Sequence, residues 1–146
     1  NLVNYLSFAS QKSNFFFKKN DSELKMEFSY YPFPVLNPPI LFGNLQVDSL
    51  EDVVANKFMA LLDRIETKDF VDLYFLFKKK NFSFDKILAL VNKKFDFKFD
   101  PITLGSEFSK VRHLLVLPKM IEKLTLSELK LFFSEQAKTL SSAIIE

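Results

Sequence analysis

SLEDVVANKFMALLDRIETKDFVDLYFLF, residues 49–77, is the stretch on which the reading of the fold turns. Ser49 is a favourable helix N-cap. Asp52, three residues on, completes a Ser-x-x-acid box of the kind that satisfies amide groups left free at a helix start. Leu50, Val54, Phe58, Leu61 and Leu62 follow at helical spacing, so the first helix is expected to bury one face. Thr67 offers a second N-cap, with Asp69 in the first turn, where the helix dipole favours negative charge. Phe70, Val71, Leu73, Tyr74, Leu76 and Phe77 give the second helix its apolar face. Two helices joined by a tight turn therefore gather Lys57, Arg64, Lys68, Asp69 and Asp72 around one corner.

On the N-terminal side, Ser13 to Lys19 and Glu23 to Tyr31 read as two strands of a hairpin. Turn formers lie between them, and Leu24, Met26, Phe28 and Tyr30 alternate with polar residues as on a half-buried strand. Leu2, Val3, Tyr5 and Leu6 suggest a short helix before the strands. Because Asn1 is not a methionine, a fragment, a processed product or a domain is expected. Pro32, Pro34, Pro38 and Pro39 forbid helix or central strand, so this segment is an extended surface connection. Ile40 to Val47, with Gly43-Asn44 inside it, reads as a short edge hairpin or strand.

Beyond Phe77 the chain reads as helix. Ser83 is a cap for Ile87, Leu88, Leu90 and Val91, and Asp96 to Asp100 is a loop. Pro101 can open a helix carrying Phe108, Val111, Leu114 and Leu115, which Pro118 ends. Thr125 or Ser127 caps a last helix with Leu129, Phe132, Phe133, Ala137, Leu140 and Ile144 as its stripe. Strands first and helices after make an α+β chain. Its 146 residues are one domain, with strands and proline-rich connection over 1–48 and a helical part over 49–146.

Twenty basic against 18 acidic residues is too balanced to predict nucleic-acid binding by itself. The absence of cysteine excludes disulfides and thiolate metal sites and, with no apolar run long enough to span a bilayer, points to the cytoplasm without membrane association. Nineteen Phe without Trp are core residues by default. His113, the single histidine, lacks the spaced partners of a metal site or a Ser-His-Asp device. Two glycines cannot make a P-loop or a dinucleotide fingerprint.

The corner at 57–72 is different. Lys57 and Arg64 are seven residues apart and face the same way, and Lys68 and Asp72 are four apart on the next helix. Cations so placed can hold a triphosphate, with a carboxylate nearby to orient a ribose, a metal ligand or a basic side chain. The same spacing also allows a purely structural corner, in which Arg64 pairs with Asp69 or Asp72 and both lysines are solvated.

Ser49-Leu50-Glu51-Asp52, Lys57, Ala60, Leu61, Arg64 and Lys68-Asp69-Phe70-Val71-Asp72-Leu73-Tyr74 closely resemble the AbiEii/AbiGii-type toxin family. These are the nucleotidyltransferase-like proteins of abortive-infection toxin–antitoxin systems. LKMEFSYYPFP, residues 24–34, resembles the family's strand and proline-bearing connection, and the helices to the C-terminus resemble its layout, so nearly the whole chain is covered. The resemblance implies a nucleotidyltransferase fold of the DNA polymerase β kind and transfer of nucleotides from NTPs onto RNA, in some members tRNA acceptor ends. It implies that Lys57 contacts the triphosphate, that Asp69 is an active-site acid, and that Arg64, Lys68 and Asp72 bind or support the nucleotide. It also suggests Glu27 as a metal-binding carboxylate, beside the plainer reading of an exposed strand glutamate.

One half of the family's pattern is missing. The Gly-Ser turn followed by an Asp-x-Asp pair, which holds the Mg²⁺ ions of in-line phosphoryl transfer, does not occur. Gly105-Ser106 has no such pair behind it, and Asp21-Ser22-Glu23 has no glycine before it. The expectation is therefore the C-terminal part of such a toxin, inactive alone, with Mg²⁺ required only by the complete protein and none bound by this chain. The alternative is a non-enzymatic module on the same scaffold that binds an antitoxin or another protein, its tail presenting Lys130, Phe132 and Phe133. A third reading, RNA binding without catalysis, requires Lys78, Lys79, Lys80, Lys93 and Lys94 to form one patch.

Overall fold

The computed structural model describes residues 12–80 and 82–142. The short helix expected around Leu2 to Leu6, and Ile144 of the last apolar stripe, lie outside the described residues. The chain is α+β, with short antiparallel strands followed by helices, and it divides into two compact units, Asn1–Pro34 and Val35–Glu146.

The first unit contains a hairpin of β1 (Lys12–Lys19) and β2 (Ser22–Ser29). Lys19 faces Ser22, so Asn20 and Asp21 make a two-residue turn, and Asn20 takes the positive φ of 54° that such turns require. The register sets Phe15 against Met26 and Phe17 against Leu24, and Phe28 joins that face with its ring edge-on to Phe15 at 5.7 Å. The alternation predicted for β2 is therefore real, but the expected half-burial is not: all these side chains are exposed, Met26 least at 39%. A two-stranded ribbon brings no second layer of its own to lie on its apolar side.

The second unit begins with a smaller hairpin, β3 (Ile40–Phe42) and β4 (Leu45–Val47), turned at Gly43 with φ of 60°. Five helices follow: α1 (Leu50–Asp63), α2 (Thr67–Lys80), α3 (Phe84–Phe95), α4 (Pro101–Ser109) and α5 (Leu126–Ser142). A short 3₁₀ turn, Lys110–His113, ends the α4 segment. Local chemistry fixes their ends. Ser83 accepts the Lys86 amide, and Asp100, which the sequence reading passed over, caps α4 by accepting from Thr103 at 2.8 Å, with Pro101 in the first turn. Thr125 and Glu128 form a reciprocal capping box on α5, which decides between the two caps expected there. Asp96 closes α3 in the left-handed region, where a short polar side chain is tolerated.

Aromatic residues tie the helices together. Phe58 of α1 meets Phe108 of α4 at 6.1 Å, Phe108 meets Phe133 of α5 at 5.2 Å, and Phe133 meets Phe70 of α2 at 5.0 Å, all edge-on. These four rings are fully buried. Phe99, from the 96–100 loop, stands edge-on to Phe58 at 5.1 Å and pins that loop. Phe133 is thus core and not part of a docking tail, while Phe132 stacks partly under Lys78 and Lys130 donates to the Arg112 carbonyl.

One polar cluster lies within this apolar unit. Asp52 and Lys94 are both buried, with Nζ 2.6 Å from Oδ1. The same carboxylate accepts the Leu36 amide at 2.9 Å, the Asn37 amide at 3.3 Å and the Ser49 hydroxyl at 2.6 Å. Asp52 is therefore more than half of a capping box: it joins the proline-rich connection, the start of α1 and the end of α3. Lys94 is accordingly lost to any surface patch with Lys78 and Lys93, which removes one member of the basic set required for RNA binding. Burial alone would push the Asp52 carboxyl up, but Lys94, Ser49 and the two amides outweigh it and hold the group well below the usual carboxylate range.

Two outcomes follow. Asp52→Asn or Lys94→Met alone should cost about 3–5 kcal/mol in urea unfolding, because each leaves a buried polar group without its counterpart, whereas the double variant should cost less than the sum. Because the folded pKa of Asp52 is lowered, its contribution is complete above the unfolded value of about 3.9 and is lost as pH falls below it. The urea midpoint should therefore drop on acidification from pH 5 to pH 2 (a range of roughly the carboxylate kind), and less steeply in Asp52→Asn.

Candidate functional site

Helical spacing places Val53, Asn56, Lys57 and Ala60 on one stripe of α1, and Arg64 follows just past its end. At Arg64 the backbone turns extended, with φ of −154°, and its amide still bonds to the Ala60 carbonyl. The chain thereby leaves α1 and enters α2 within three residues, and Asp69 in the first turn of α2 is brought back against the stripe. Together these six residues line an open cleft of about 300 Å³.

Asp69 is the centre of the corner. Its side chain is fully buried, yet both oxygens are used: Oδ2 takes Arg64 Nε at 2.9 Å and Oδ1 takes Lys57 Nζ at 3.4 Å. Because the two cations converge on one carboxylate, they lie side by side at the cleft. Lys57 is also held by Asp72 at 2.6 Å, and Arg64 by Glu66 at 3.4 Å. Partial burial would lower the Lys57 pKa, but Asp72 and Asp69 more than offset this and raise it, so the ammonium is kept charged. The hydrogen bond to Asp69 likewise strengthens the Arg64 cation against its own burial.

The other predicted site residues are placed differently. Lys68 is half exposed, pairs with Glu66 at 2.8 Å and does not line the cleft. Asp72 reaches it only through Lys57. Glu27 belongs to the first unit, on β2, where it pairs with Lys25 at 3.3 Å. Val53 and Asn56, which the expected site did not include, line the cleft beside Lys57, and Ala60, one of the residues that carry the family resemblance, stands three residues on from Lys57 along the same helix. Nothing in the sequence singled out Glu66.

Chemically, the cleft offers two fixed cations, an amide side chain and a small apolar surface, an arrangement suited to a phosphorylated ligand. A divalent metal ion fits poorly. Asp69 gives both oxygens to cations, and among the described residues no three of His, Cys, Asp or Glu are placed so that they could hold a metal ion. Among the described residues no helix is long and apolar enough to cross a membrane.

If Asp69 organises the corner, stability losses should be ordered. Asp69→Ala should cost about 1–3 kcal/mol by urea unfolding, because it removes a buried acceptor from two charged donors. Lys57→Ala should cost no more than about 1 kcal/mol, since Arg64 still satisfies Asp69 and Lys57 is partly exposed. Arg64→Ala should fall between them.

Residues 6–142 match the family model described as nucleotidyl transferase AbiEii toxin, type IV TA system. No curated protein and no solved structure matches the chain.

Proposed function

This chain belongs to the nucleotidyl transferase AbiEii toxin family of type IV toxin–antitoxin systems, and from that premise we propose that its α1–α2 corner is the triphosphate-holding half of a nucleotidyltransferase site. Lys57 and Arg64 neutralise phosphate charge, and Asp69 acts through them, fixing where both cations stand. The observation that carries this reading is the convergence of Lys57, on α1, and Arg64, just past its end, on one buried carboxylate of α2 at the edge of an open cleft. The acceptor in this reading is RNA, with tRNA ends as the first choice, and the neutralising partner is a cognate antitoxin protein in the cytoplasm.

In-line transfer of a nucleotidyl group needs divalent metal to hold the attacking and leaving oxygens. The cleft residues do not fit that role, and no Asp-x-Asp pair occurs in residues 1–146. We therefore assign metal binding to an Asp-x-Asp segment supplied to this chain, and expect residues 1–146 alone to hold a nucleotide without transferring it. Single-domain organisation over 1–146, and participation of Lys68, Asp72 and Glu27, belong to the same proposal. In it Lys68 and Asp72 adjust the charge around Lys57 and Arg64, and Glu27 has the lesser claim because its own partner is Lys25.

The test is transfer of label from each α-labelled NTP to bulk tRNA with Mg²⁺. Residues 1–146 would be compared with a chain also carrying the Gly-Ser and Asp-x-Asp segment. Transfer by the longer chain alone is expected, and Lys57→Ala in it should lower the rate on the order of 10²-fold, as for loss of one charge-stabilising donor, with the fold intact. Undiminished transfer by Lys57→Ala would remove the role given to Lys57.

A further inference from the structure

The cations of the cleft are already neutralised. Lys57 and Arg64, with Lys68 beside the cleft, are matched by Asp69, Asp72 and Glu66 in one continuous chain of ion pairs. A polyphosphate arriving at this corner therefore meets no surplus positive charge. It can be held only by taking cations from carboxylates that hold them now.

The three carboxylates are not equivalent. Asp69 is fully buried between its two partners and cannot turn away without leaving a buried charge behind. Asp72 and Glu66 are 44% and 42% exposed, so each can rotate into water at little cost. Lys57 and Arg64 would stay on Asp69 while their second partner is exchanged for a phosphate oxygen. Resting on the triphosphate reading above, we infer that Asp72 and Glu66 are affinity-setting residues of the cleft: they compete with the phosphate chain for Lys57 and Arg64 and must be displaced by it. Asp69, by contrast, remains in place with ligand bound.

Inorganic tripolyphosphate, titrated calorimetrically into residues 1–146 at low ionic strength, tests this without needing the transfer reaction. Asp72→Asn and Glu66→Gln should each tighten binding by about two- to fivefold, the range expected for releasing one half-exposed ion pair. The double variant should tighten it by about tenfold (roughly the product of the two). Asp72→Glu, which keeps the competing charge, should return affinity to the parent value, and Lys57→Gln should weaken it. Circular dichroism of each variant establishes that the fold is kept.

If Asp72→Asn and Glu66→Gln bind no tighter than the parent while Lys57→Gln still weakens binding, the competition is wrong and the triphosphate reading survives. If Lys57→Gln binds as the parent does, or binding is absent even from the double carboxylate variant, both fall.

Discussion

A lysine and an aspartate buried together hold the helical unit in its arrangement. Asp52 and Lys94 are 42 residues apart and come from different helices, yet they meet at 2.6 Å with almost no exposure. Burying two charges is expensive, and the expense is offset only when the remaining lone pairs are filled as well. Here they are filled by Ser49 and by two main-chain amides of the proline-rich connection. Three parts of the chain therefore have to arrive together. That requirement couples the docking of α3 on α1 to the placing of the proline-rich connection.

The α1 helix carries this cluster near its start and the cleft cations further along. Asp52 faces inward and Lys57 outward, so the helix is oriented by one buried carboxylate at its start and by another, Asp69, at its end. Both carboxylates do the same physical job with different partners. Asp52 is closed off and matched by a single lysine and neutral donors, whereas Asp69 is shared between two cations that also reach the cleft surface. The first arrangement is rigid, and the second leaves one side of each cation exchangeable.

Much of this was readable from the chain. Apolar spacing located both corner helices; Lys57 and Arg64 do line one cleft, although Arg64 stands past the end of α1 on extended backbone, so helical spacing is not what brings it there. Turn chemistry found the first hairpin and left the second open between hairpin and single strand; both turn at a left-handed position, which Gly, Asn and Asp tolerate best. What could not be read was pairing across long sequence separation. Lys94 looks like any lysine at a helix end, and only the tertiary fold brings it to Asp52. Likewise, alternation in β2 reports which side chains share a face, but says nothing of whether another layer covers them. The metal-binding part of the family's chemistry was legible only as a missing motif, because spacing within this chain holds no substitute for an Asp-x-Asp pair.

The attachment of Asp52 to residues 36 and 37 is made through main-chain amides. A carboxylate that recognises N–H groups does not read the side chains that carry them. The contact itself therefore excludes only one residue type at 36 and 37. Proline has no amide hydrogen, and it already occupies positions 32, 34, 38 and 39 on either side. In a segment this rich in proline, what the Asp52 contact requires at 36 and 37 is an amide hydrogen, so one more proline at either position would give up a bond to the buried carboxylate.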